Sequence, residues 1–265
     1  MSTLTPRLGR ALPRTVLAAA VVSLAFASSA ALPAQDALPP ARTIIDRHIA
    51  AMGGREAILA HTSMRVVGTI SFPANGISGS LEAFGARPNK VLVRMNIAGI
   101  GEALEGFDGA VAWSMSPMTG PMLSQGKELE QKKFDADFYS ELRQPDRYTS
   151  ARTLEKTMWN GHPAYKVTLV RHDGSEELEY YDVKSGLRTG REFTRDAIVG
   201  PLKVQEISVD YRLFGDLLHP TTSTVNVMSV QQVITIASVE YDKVDPAVFE
   251  LPAAIKALVK RPAGL

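Results

Sequence analysis

The chain has 265 residues, 29 Lys and Arg against 28 Asp and Glu, and no cysteine. So even a balance excludes the strongly basic footprint of a nucleic-acid-binding protein. Without cysteine there is no disulfide and no thiolate metal site, so stability must come from the core. The length suits one large β domain or two small ones.

Residues 1–34 read as an export signal. Arg7, Arg10 and Arg14 make a basic start, Val16 to Ala27 an apolar run, and Ser28 to Ala31 and Pro33-Ala34-Gln35 offer small-residue cleavage sites. The apolar run is shorter than the roughly 20 residues that span a bilayer. Cleavage after Ala34 removes three basic residues and no acidic one, leaving a slightly acidic chain. Residues 35–41 form a Pro-rich linker, and 42–265 are expected to make a single domain.

Arg42 to Ala60 has helical periodicity, with Ile44, Ile45, His48, Ile49 and Met52 on one face and Gly53-Gly54 as an interruption. From Met64 the period falls to two, and strands are expected to Phe72 and near 77–86, 90–97, 101–107 and 110–116. Asn75-Gly76 and Asp108-Gly109 carry hairpin chemistry; the second suggests a tight type I′ turn. Ser116 to Pro121 breaks the sheet. Gln125 to Arg143 then reads as one long helix with Phe134, Phe138 and Leu142 at i, i+4, i+8 and Pro145 beyond its end. Further strands follow near 150–159, 163–171, 176–183, 187–195, 202–213, 219–229 and 232–243, punctuated by Asn160-Gly161, Asp173-Gly174, Lys184-Ser185-Gly186 and Gly215-Asp216. The pattern predicts a mainly β (α+β) fold: a large antiparallel curled sheet, or incomplete β-barrel, of about eleven strands with a helical lid.

The polar constellations name no reaction. His48, His61, His162, His172 and His219 are scattered over different elements without metal-ligand spacing, and there is no nucleophile elbow or phosphate loop. Glu176-Glu177-x-Glu179 alternates along a strand and reads as a solvated face. The apolar set says more. Val91, Val93 and Met95 share one strand face, Val111, Trp113 and Met115 another, and Met118 and Met122 follow closely. Methionine-rich surfaces adapt to varied apolar partners, and a large sheet must curl around its contents or leave apolar surface open. With Phe134, Phe138 and Leu142 from the expected lid, these residues are the candidate walls of an apolar cavity, and Trp113 is expected on the inner face beside Val91 and Val93.

A helix, the strand residues Gly79 and Leu81, the Arg87-Pro88 turn, a strand reaching Arg94, and Asp108-Gly109 with Trp113 and Pro117 resemble the bacterial lipoprotein-carrier superfamily of LolA/LolB-like proteins. That resemblance implies a half-barrel with helices over a cavity for acyl chains, no catalysis and no cofactor. The expected protein is a periplasmic, non-enzymatic carrier for lipoprotein acyl chains, lipids or another apolar ligand. Its partners would be a lipid or acylated protein and envelope membrane proteins, and it would be a monomer without lipidation. Alternatives are an envelope scaffold with a filled core, or a hydrolase with carboxylates assembled by folding.

Overall fold

The computed structural model describes residues 37–260 except 198 and 199. The expected export signal lies outside the described residues. The chain enters through α1 (Ala41–Met52), one residue into the expected linker, and α2 (Arg55–Ala60). Gly53 and Gly54 separate them at φ 132° and 94°, a region side-chain-bearing residues rarely adopt. Then come β1 (Ser63–Phe72), β2 (Ile77–Ala86), β3 (Lys90–Ile97), β4 (Gly101–Phe107), β5 (Ala112–Ser116) and β6 (Gly120–Leu123). After α3 (Gly126–Asp135) and two short 3-10 turns follow β7 (Tyr148–Trp159), β8 (His162–Arg171), β9 (Glu176–Asp182) and β10 (Arg188–Ala197). The last strands are β11 (Gly200–Phe214), β12 (Leu217–Val227) and β13 (Val230–Tyr241), and a 3-10 turn (Pro246–Phe249) leads to α4 (Ala253–Val259).

All thirteen strands form one antiparallel sheet in the order β6-β5-β4-β3-β2-β1-β13-β12-β11-β10-β9-β8-β7. Two meanders are joined through β1 and β13, with Val66 opposite Val239 and Ile70 opposite Ile234. The edges β6 and β7 do not pair, so the sheet curls without closing into a barrel. The segment that joins those edges carries α3.

The sheet exceeds the expected eleven strands partly because β6 occupies what reads in sequence as a break. Pro121 lies within it, opposite Met115. Proline lacks the ladder N–H, and an edge strand tolerates that loss. The Asp108 turn also differs from expectation. Its carboxylate accepts the backbone N–H groups of Ala110 (2.8 Å) and Val111 (2.7 Å), making a wider loop, and β5 starts at Ala112. Asn160-Gly161 does form a two-residue hairpin: both residues have positive φ, and Trp159 faces His162.

Helix α1 packs on the inner face of the second meander. Ile44, Ile45, Ile49 and Ala41 pack with Ile58, Leu142, Tyr148, Val167, Leu169, Tyr181 and Leu217. Burying each large aliphatic side chain contributes about 1.5–3 kcal/mol. On the opposite face, over β3 to β5, Phe249 and Ile255 from the C-terminal segment pack on Phe84, Leu92 and Trp113.

Candidate functional site

Strand alternation assigns the two faces. Val91, Val93 and Met95 lie opposite Gly85, Ala83 and Leu81 and share their face. Leu92 lies opposite Phe84 and Gly106, and Gly106 opposite Trp113, which puts these four on the other face. Val91, Gly85, Ala83 and Leu81 of the first set border a cavity of about 450 Å³, within the ~300–1,000 Å³ usual for small-molecule sites. Its sheet wall runs from Val91 through Ala83, Leu81 and Val66 to Ile234, Ile236 and Val225; Met52, Ile58 and Phe138 contribute from the helical side. A second hollow, also about 450 Å³, continues past Val91 and Ala136 to Val93, under Lys132 and Gln131 of α3.

The sequence-derived candidates therefore separate. Val91 and Phe138 line the first hollow and Val91 and Val93 the second. Met95 lies half-buried on the same face, opposite Leu81. Met122, opposite Ser114, is half-buried at the sheet edge. Trp113 is not on this wall. With Val111 and Met115 it packs in the opposite core against the C-terminal segment. Met118 is 80% exposed in the β5–β6 turn.

The expected long lid helix is also divided. α3 stops at Asp135, and Asp137 then takes the backbone N–H of Tyr139 (3.0 Å) while pairing with Arg147 (2.6 Å). A side chain that caps the backbone locally competes with the helix. The Phe134, Phe138, Leu142 stripe is consequently not one stripe. Phe134 meets Tyr148 edge-on and lies under the guanidinium groups of Arg147 (3.9 Å) and Arg171 (3.8 Å). Phe138 faces the cavity, and Leu142 is fully buried beside α1.

Glu177 and Glu179 do share a strand face, but it points inward, where both are buried. Glu179 accepts from Arg143 (2.6 Å), Arg188 (3.1 Å) and the Tyr181 hydroxyl. Burial would raise its pKa; the two guanidinium groups and the Tyr181 bond outweigh burial and bring it down to about 2. Glu177 pairs with Arg171 (3.2 Å), and Arg191 with Glu206 (2.8 Å). The solvated reading holds for Glu176, which is exposed, and fails for Glu177 and Glu179 because it counts carboxylates along one strand. Their arginines come from β8, from β10 and, for Arg143, from between the two 3-10 turns that precede β7. Arg191 lies directly opposite Glu206 across the β10–β11 ladder and opposite Glu179 across β9–β10, pairing signals that a strand alignment could reveal.

The histidines near the cavity are committed to structural bonds. His61 gives one ring nitrogen to Asp216 (2.7 Å) and the other to Asp242 (2.7 Å) and stacks on Tyr241 at 4.0 Å. No nitrogen remains to take a proton from a substrate. His48 accepts the backbone N–H of Arg188 (3.2 Å) and faces Glu141 (3.4 Å), and His219 bonds the Tyr241 hydroxyl. Among the described residues, no group of three or more His, Asp or Glu side chains is placed to hold a metal ion.

No family model and no curated protein sequence matches the chain. Solved structures do. A DUF1329 family protein from Desulfovibrio piger is similar at a TM-score of 0.56 and 12% identity, over 80% of this chain and 98% of the other. A LolA superfamily protein from Nitrosomonas europaea is similar at a TM-score of 0.52 and 11% identity, over 81% of this chain and 99% of the other. The fold is LolA/LolB-like.

Proposed function

We propose that this protein is a non-enzymatic binding or carrier protein for an apolar chain, held between the inner face of the sheet and the segment joining its two edges. The observation that carries the reading is the mainly apolar cavity lined by Val66, Leu81, Ala83, Val91, Ile234 and Ile236. Burying each CH₂ of a ligand there contributes roughly 0.8 kcal/mol. The LolA-like fold fits this reading, and the commitment of the nearby histidines to structural bonds favours sequestration over chemistry. The basic and apolar pattern of residues 1–34 points to export, which makes the proposed compartment the periplasm and the proposed partners lipids, acylated proteins and envelope membrane proteins. Among the described residues no helix is long and apolar enough to cross a membrane.

Titration with the uncharged dye N-phenyl-1-naphthylamine tests the reading. Saturable fluorescence enhancement, reversed by a long-chain lipid, is the expected result. No enhancement, together with a ligand-free mass for protein purified from the bacterial envelope, overturns it.

A further inference from the structure

The apolar cavity opens into charge at one end. Asp135, Ser140, Glu141, Arg188 and Arg191 line it, and the same residues line an adjoining chamber of about 200 Å³. Arg143, Arg147, Arg171 and Arg195 complete that chamber with Phe134, Tyr148 and Glu177. Six guanidinium groups thus border a space that only three carboxylates share. Further acids hold some of the arginines from behind: Glu179 holds Arg143 and Arg188, and Glu206 holds Arg191. Those contacts fix the forks in place. They do not occupy the hollow.

Two of the arginines that line it keep donor capacity, as the lining carboxylate Glu177 keeps an Oε1 without a hydrogen-bond partner. Arg147 Nη1 is buried and lies 2.6 Å from Asp137, yet no acceptor aligns with its N–H. Arg195 stacks over Phe193 at 5.9 Å and has no ion-pair partner among the described residues. Stability is a poor reason for such an array. A buried ion pair often contributes no more than apolar packing of the same volume. Fixed guanidinium forks match the oxygens of a carboxylate or phosphate, which they bind through paired N–H donors.

We infer that the ligand is an anionic amphiphile: its apolar chain lies along Val66, Ala83 and Ile236, and its carboxylate or phosphate head enters the arginine chamber. This rests on the cavity reading above and adds the head group to it. The head takes N–H donors from Arg147, Arg171, Arg191 and Arg195. Asp135, close to Arg171 (3.7 Å), marks its entrance from the apolar side.

Displacement of bound N-phenyl-1-naphthylamine from the full chain provides the test, with dodecyl phosphate, dodecanoate, dodecanol and inorganic phosphate as competitors. The two anionic amphiphiles are expected to displace the dye at concentrations at least about tenfold below dodecanol, with inorganic phosphate leaving the dye bound. Raising the salt concentration and the substitution Arg195→Gln should each narrow that gap. Arg195 is exposed, so this variant keeps the fold; Arg147→Gln, checked by its melting curve, supplies a second reading. Equal displacement by dodecanol and dodecyl phosphate overturns the head-group assignment while dye binding preserves the cavity. An undiminished gap in both variants also overturns it. Displacement by inorganic phosphate alone replaces the amphiphile with a free anion. A protein that takes up neither dye nor amphiphile loses the cavity reading itself.

Discussion

The indole of Trp113 lies against the bare backbone of Gly106: a Cβ at Gly106 would sit 2.7 Å from the indole Cε2 and Cζ2. Trp113 is 3% exposed, with Phe84, Leu92, Phe249 and Ile255 around it. The ring therefore holds the C-terminal segment on the outer face of the sheet. Trp113→Ala is expected to cost about 3–5 kcal/mol in urea denaturation. Dye affinity per folded molecule should stay at the wild-type value, because the cavity lies on the other face. Lost affinity in a variant of unchanged stability would place Trp113 in the binding site after all.

Much of the fold is legible in the sequence because its periodicities are local. The α1 face of Ile44, Ile45, His48, Ile49 and Met52 is buried as expected, the strand spacing gives a large antiparallel sheet, and the resemblance carried by Arg87-Pro88 and Asp108-Gly109 implies the LolA-like architecture. Alternation, however, sorts residues into two sets without saying which set faces inward. In β3 to β5 both faces are covered, one by α3 and one by the C-terminal segment, so Leu92 and Val93 look alike in sequence. The arginine chamber is less legible still. Its charges come from β8, β9, β10 and the segment before β7, which meet only once the sheet has curled.

Glu179 is the keystone of the buried charges, fully enclosed and shared by Arg143 and Arg188. Glu179→Ala leaves two guanidinium groups without that counter-charge. Breaking a buried pair in this way costs about 3–5 kcal/mol, read as a lower denaturation midpoint at neutral pH. The low pKa of Glu179 also fixes a sign. Its contribution is present above the unfolded value, near 4.3, and is lost as pH falls toward about 2. The gap between wild type and variant should close on acidification. A constant gap would assign the loss to packing.

His61 titrates with the opposite sign. Burial lowers its pKa, but hydrogen bonds and attraction from Asp242 and Asp216 outweigh burial and leave it raised. Its stabilisation is therefore full below the unfolded value of about 6.5 and is lost as pH rises through the folded value. His48 and His219, whose pKa values burial lowers, act in the reverse direction. The informative quantity is thus the difference between wild type and His61→Gln. Melting curves from pH ~5 to ~8.5 should show the variant less stable at the acidic end, with the difference shrinking above about 6.5. A difference independent of pH would mean that the imidazolium charge contributes nothing to the latch between Asp216 and Asp242.

Strand β2 offers a paired test of the two faces. Ala83 lies between Val66 and Val93 on the cavity wall, whereas Ala86 packs in the outer core with Trp113. A phenyl group added at 83 projects into open volume, so Ala83→Phe should change stability by no more than about 0.5 kcal/mol. It occupies the space a ligand needs, and dye affinity should fall at least about tenfold. The same addition at 86 meets a filled core. Overpacking there costs about 1–3 kcal/mol, and dye affinity per folded molecule should be unchanged. Calorimetry and dye titration on both variants separate the two effects. If Ala83→Phe binds dye as wild type does, the ligand does not lie between β1 and β3. If instead Ala86→Phe is the variant that loses the dye, the binding face is the outer one, beneath the C-terminal helix.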